Sequence, residues 1–217
     1  MITAKNLYKN YGEYLAINDV SLEVADTDFV GIIGESGSGK STLLYLLSGL
    51  LAATKGSIFL DDTELTRVSD QELSYIRANY LGFVFQFHNL IPGLTVLENM
   101  ELPLILTNKN PARYQKKIYD ILEQVGLQDY IRQDVNELSG GQQQRISIAR
   151  ALVNDPKVIF ADEPTGNLDS ENSDNIIDLF GELNKEHKVS IIMVTHSHRT
   201  LKYCNKIIRI SDGRIIA

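Results

Sequence analysis

Short apolar runs alternate with polar stretches of helical spacing along most of this chain. FVGIIG (29–34) is a buried-strand pattern ending in glycine, and KSTLLYLLSGL behind it has helix-forming composition. The most apolar run, LLYLLSGLLAA (43–53), is too short to span a bilayer and reads as a buried helix. GSIFL (56–60) and YLGFVFQ (80–86) read as strands. From about residue 87 to 153 the spacing turns helical, most clearly in NPARYQKKIYDILEQVGL (110–127). KVIFADEP (157–164) and VSIIMVTH (189–196) return to buried strands, flanking an amphipathic helix over 170–186 with Asp169 or Ser170 as its N-cap. The order predicts one α/β domain over 1–217 with a helical subdomain inserted at approximately 87–155.

Composition narrows the function little. Of the 217 residues, 43% are hydrophobic and 23% charged, as in ordinary globular proteins. The net charge of −7 argues against a nucleic-acid partner. A single cysteine, Cys204, excludes an internal disulfide and suits a reducing compartment. The N-terminal MITAKNLYKNYG lacks the apolar stretch of an export signal, so a cytoplasmic location is expected, with any membrane role exercised through a separate subunit.

The chemistry begins at GESGSGKST (34–42), which contains G-x-x-x-x-G-K-[ST] between an expected strand and an expected helix. In such a loop Gly34, Gly37 and Gly39 let backbone N–H groups turn inward around phosphate oxygens, the whole stretch with Glu35, Ser36, Ser38 and Thr42 is expected to bind ATP, and the following helix adds its positive end. Lys40 is suited to the β and γ phosphates and Ser41 to Mg²⁺. VIFADE supplies acids at another strand's end: Asp162 for the Mg²⁺ shell and Glu163 to orient or deprotonate an attacking water. A third strand delivers His196, read as a γ-phosphate contact, whereas His88, His187 and His198 read as surface or packing residues. A bare glycine pair before the helical run QQQRISIARALV, Gly140 and Gly141, is costly for helix stability and needs another explanation.

Together, GESGSGKST, LSGGQ (138–142) and ADEP (161–164) resemble the ATP-binding-cassette (ABC) ATPases over nearly the whole chain. The resemblance implies a RecA-like core sheet, with ATP as substrate and Mg²⁺ as cofactor. It implies that Ser139, Gly140, Gly141 and Gln142 act in trans, on a nucleotide held by a second copy in a head-to-tail homodimer. Tyr11 resembles the adenine-stacking aromatic; Tyr8 and Tyr14 lie close by, and simple packing is the alternative for each of the three. Gln86 matches the glutamine that contacts Mg²⁺ and water, and Asp169 in GNLDS matches the D-loop.

The stretch FQFHNLIPGLTVLENMELPL (85–104) falls where transporter cassettes receive a permease, here near Gln86–Pro103. Its apolar residues Phe87, Leu90, Ile91, Leu94, Val96 and Leu97 suit docking or core equally. With FADEPTGNLDS it resembles the lipoprotein-release and macrolide-efflux cassettes. Those couple ATP closure to mechanical work by a permease, from the inner face of the cell membrane. The rival expectation is a non-transport ABC ATPase of the cell-division or assembly type, which shares every catalytic motif.

Overall fold

The computed structural model describes residues 1–197 and 199–216; His198 lies outside the described residues. The chain opens with two antiparallel strands, β1 (Ile2–Tyr11) and β2 (Tyr14–Val24), followed by β3 (Phe29–Gly34) and α1 (Lys40–Leu47). Then come β4 (Lys55–Leu60), β5 (Thr63–Glu64), α2 (Asp70–Tyr80) and β6 (Leu81–Phe85). A helical stretch follows, with α3 (Val96–Leu106), α4 (Gln115–Gln124) and α5 (Gly140–Leu152). The chain closes with β7 (Val158–Asp162), α6 (Ser170–His187), β8 (Ser190–Val194), β9 (Lys206–Ser211) and β10 (Arg214–Ile216).

Two sheets form. One is antiparallel, in the order β2-β1-β4-β5, and the other runs β10-β9-β3-β8-β7-β6 with every pair parallel except β10 with β9. The larger sheet is covered on both faces, which is why its strands read as continuous apolar runs. Side chains alternate sides, so Val30, Ile32, Val158, Phe160, Ile192 and Val194 pack with α1 and the antiparallel sheet. Their neighbours Phe29, Ile159, Ala161, Ile191 and Met193 pack with α3, α4, α5 and α6. Each large side chain buried this way contributes about 1.5–3 kcal/mol.

GSIFL is a strand as expected, and it pairs with β1 in the antiparallel sheet. Two sequence expectations need correction. The apolar run over 43–53 is not one buried helix: α1 stops at Leu47 and Leu50 is exposed. Gly49, at φ +65°, cannot continue it cheaply. Tyr80 closes α2 and does not open β6. At the start of α6, Asp169 is the N-cap and accepts from the Asn172 N–H at 2.8 Å. Among the described residues, no helix is long and apolar enough to cross a membrane. The thiol of Cys204 donates to the Thr200 carbonyl at 3.3 Å and packs against the core; burial pushes its pKa up to about 11.

Between β6 and α3 the chain runs as a loop braced from inside by Asn99. Its fully buried amide accepts from Ile91 N–H at 2.8 Å and donates to the Ile91 and Thr95 carbonyls at 3.2 and 3.1 Å. Asn99→Ala orphans these buried groups, so it should cost about 2–4 kcal/mol, read as a lower urea midpoint.

Candidate active site

Because β3, β8 and β7 are parallel neighbours, their carboxyl ends lie side by side, and each ends in a residue type singled out from the sequence. From β3 the chain enters the phosphate loop. At Gly39 the backbone is left-handed, φ +105°, and a Cβ there would sit 2.7 Å from the Ala16 carbonyl oxygen, so only glycine fits. Gly39 is also the N-cap of α1 and offers no side chain to its free N–H groups, which leaves the helix start available to an anion. The Lys40 side chain is buried, its Nζ donating to the Glu35 carbonyl at 2.7 Å. The Ser38 hydroxyl is buried and has no hydrogen-bond partner among the described residues.

A cleft of about 300 Å³ opens over this loop, lined by Ser36, Gly37, Gly39, Lys40, Ser41 and Thr42 together with Tyr11, Tyr14 and Glu163. The two tyrosines face each other across the β1–β2 turn. Tyr11 lies under the Lys9 ammonium, and the Tyr14 hydroxyl donates to the Gly37 carbonyl at 3.2 Å. Tyr8 is not among the lining residues, whereas Tyr11 and Tyr14 are.

β7 brings Asp162 to the same place. Ser41 Oγ donates to its Oδ1 at 2.9 Å, and the Tyr45 hydroxyl donates to its Oδ2 at 2.5 Å. Burial and this carboxylate hold the Tyr45 phenol well above its ordinary pKa. Tyr45 was not anticipated, although its i+4 spacing from Ser41 on α1 puts both on one helix face. One hydroxyl and one carboxylate, with no cluster of three or more His, Cys, Asp or Glu side chains among the described residues, suit Mg²⁺, which keeps waters and substrate phosphates in its shell.

Glu163, the next residue, is left-handed at φ +45°, a conformation costing a non-glycine residue about 1–2 kcal/mol. Its N–H donates to the Val194 carbonyl at 3.0 Å, and its Oε1 lies 3.3 Å from His196 Nε2. The turn thus aims the carboxylate back across the strand ends, at the histidine delivered by β8. Behind His196, Arg199 forks onto Asp174 and Asp178 of α6, and Tyr203 donates to Asp178 at 2.8 Å. No sequence motif marks that brace.

Other candidates stand apart. Gln86 is engaged with Asn167, whose Oδ1 it meets at 3.1 Å and whose Nδ2 donates back to its carbonyl. Among the described residues it makes no hydrogen bond to Ser41 or Asp162. The glycines of LSGGQ prove to be the first turn of α5, with Ser139 as N-cap. Ser139 and Gln142 form a capping box, the Gln142 Oε1 accepting from Ser139 N–H at 2.9 Å. This cap offsets part of the glycines' helix penalty. None of Ser139 to Gln142 lines the phosphate-loop cleft. Within the protomer a Cβ on Gly140 would make only ordinary contact with Leu168 at 3.6 Å, whereas one on Gly141 would press to 2.8 Å on Asn172. Asn172 also donates to Asp169 at 2.8 Å, so the D-loop candidate and this helix start adjoin. Of the histidines read as surface or packing residues, His187 meets Gln124 at 2.9 Å and His88 bonds Gln144.

The ABC transporter family model matches residues 17–166, spanning the phosphate loop, the LSGGQ helix start and the Asp162–Glu163 pair. The chain belongs to the ABC transporter family. It is 44% identical to the lipoprotein-releasing system ATP-binding protein LolD of Aquifex aeolicus (strain VF5), across 100% of this chain and 96% of that protein. An ABC transporter ATP-binding protein of Methanocaldococcus jannaschii, MJ1508, is equally identical across 100% of this chain and 98% of its own length. Among solved structures, the dimeric post-hydrolysis state of the cassette MJ0796 bound to ADP and Pi superposes with a TM-score of 0.89 at 39% identity, covering 100% and 97% of the two chains. The fold is the P-loop cassette with its RecA-like sheet, and the protein is an ATPase whose substrate is ATP and whose cofactor is Mg²⁺.

Tyr45→Phe removes one charge-assisted bond to Asp162 and should destabilise this cassette by about 1–2 kcal/mol in urea titrations.

Proposed function

We propose that this cassette is the hydrolytic motor of a transporter, one domain over 1–217 with a helical subdomain from about 87 to 155. In this reading, two copies close head to tail around two ATP molecules. The observation carrying this is an unfinished site. The phosphate loop, Asp162, Glu163 and His196 gather at one set of strand ends, while Ser139 and Gly140 sit exposed on a helix start that does not line that cleft. A helix start with bare glycines receives an anion closely, and the solved relative is a dimer bound to ADP and Pi.

In the closed pair, phosphate-loop N–H groups and Lys40 hold the β and γ phosphates, and Tyr11 stacks on the adenine. Ser41, Asp162 and Gln86 would hold Mg²⁺, which would neutralise charge on the phosphates. Glu163 accepts a proton from water as the water oxygen bonds to the γ phosphorus and the bond to the β-phosphate oxygen breaks. His196 and Lys40 stabilise the charge on the transferring group, and the partner's LSGGQ helix start faces it. Asp169 of the D-loop lies beside its own protomer's LSGGQ helix start, through Asn172, and passes the state of one site to the other.

The coupling partner is an integral membrane permease docking near Gln86–Pro103. An apolar cleft of about 330 Å³ there is lined by Phe85, Ile91, Leu102, Pro103 and Leu106, and Phe87 in the same stretch of chain is 74% exposed. The likeness to a lipoprotein-releasing ATP-binding protein favours an exporter or mechanotransmission complex, with the cassette cytoplasmic and peripheral on the inner membrane face.

Glu163→Gln should lower kcat by about 100-fold or more while ATP still binds, and retained turnover rejects the assignment. Ser139→Arg should abolish hydrolysis yet leave ATP affinity of the isolated monomer unchanged in equilibrium titration; a large affinity loss contradicts action in trans. Affinity capture of Glu163→Gln with Mg²⁺ and ATP from solubilised membranes then reads the partner. A permease with a large extracytoplasmic domain supports the exporter, and purely soluble partners favour the non-transport class.

A further inference from the structure

One turn beyond the LSGGQ helix start, Gln144 is completely buried, and all its amide capacity is spent on two loops that matter to the chemistry. Its Nε2 donates to the Pro164 carbonyl at 2.7 Å and to the Phe85 carbonyl at 3.3 Å. Pro164 follows Glu163, and Phe85 precedes Gln86. With both amide hydrogens pledged to carbonyls, Oε1 has to face a donor, and it faces His88 Nδ1. His88 therefore carries its proton on Nδ1 at this contact.

The loop holding His88 is under tension. His88 and Asn89 are consecutive left-handed residues, φ +57° and +50°. α5 clamps them a second time through Arg150, whose half-buried guanidinium donates to the His88 and Asn89 carbonyls at 3.0 and 2.7 Å. Burial lowers the pKa of that guanidinium. The same short loop carries the exposed Phe87, and Ile91 just beyond it lines the apolar cleft.

We infer that His88 and Gln144 form a positioning pair in which the Nδ1–H of His88 sets the orientation of the Gln144 amide, tying the docking loop to the strained Glu163 turn. The device is a directional lock. A donor at residue 88 keeps the Gln144 NH₂ on the Phe85 and Pro164 carbonyls. An acceptor there recruits the NH₂ to itself and turns the amide oxygen onto those two carbonyls, which repel it and push the Glu163 turn out of place. Neither residue touches nucleotide; both act through the Glu163 backbone. The inference rests on the reading of Glu163 as the base.

Asparagine and aspartate test the lock at residue 88. They have nearly the same size, both tolerate left-handed backbone, and the asparagine Nδ2 stands where the histidine Nδ1 does. Only asparagine donates. In steady-state hydrolysis by the full chain with saturating Mg²⁺ and ATP, His88→Asn should keep kcat within about twofold of wild type. His88→Asp should lose about tenfold or more in kcat with KM for ATP and the thermal midpoint little changed, because misplacement of a catalytic group by a fraction of an ångström falls on the chemical step. Equal kcat for the two variants overturns the inference, as does a His88→Asp loss matched by a fall in thermal midpoint. Glu163→Gln, run alongside, tests the base assignment separately: its failure to lower turnover removes that reading, whatever residue 88 shows.

Discussion

The parallel register of β3, β8 and β7 is the constraint on which the rest depends. Parallel strands in neighbouring positions end on the same side, so the phosphate loop, the Asp162–Glu163 pair and His196 meet without any loop reaching across the molecule. That register holds because both faces of the sheet are buried: a one-residue slip of β7 would exchange Phe160 for Ala161 between two cores of different shape. Packing thus fixes the distance between Ser41 and Asp162 as firmly as their own hydrogen bond does.

Around this rigid centre the polar features are bonded in chains. Asp162 is held by Ser41 and Tyr45, Glu163 leans on β8 and His196, and the segment after His196 is braced to α6 by Arg199. The N-cap of α6 is Asp169, whose neighbour Asn172 abuts Gly141 at the start of α5. α5 then returns through Gln144 to the carbonyls of Pro164, just after Glu163, and of Phe85, just before Gln86. The region in which a partner's nucleotide is proposed to bind and the region proposed to meet a permease are two ends of one helix.

The sequence was most legible where one physical demand dominates. Buried parallel strands are uniformly apolar, phosphate loops need glycine at fixed spacing, and helix starts need caps; all three can be read in linear order. The antiparallel sheet was not legible, because β1 and β2 mix exposed and buried residues with several register shifts and give no clean alternation. β4 was recognisable as a strand but not as a member of that sheet, since pairing partners are set by tertiary contact. Tyr45, Arg199 and Gln144 escaped notice for a related reason: each acts by reaching a group far away in sequence, and no local pattern encodes that reach. His88 looked like a bland loop histidine until its ring was found against a buried amide.

Cys204 carries a practical consequence. Burial pushes the pKa of this lone thiol up to about 11, so its thiolate is scarcer at neutral pH than that of an exposed cysteine. The unmodified chain therefore serves as its own quiet background for maleimide chemistry. A fluorophore or spin label attached through a new surface cysteine would report from that place, with the native sulfur left where it packs.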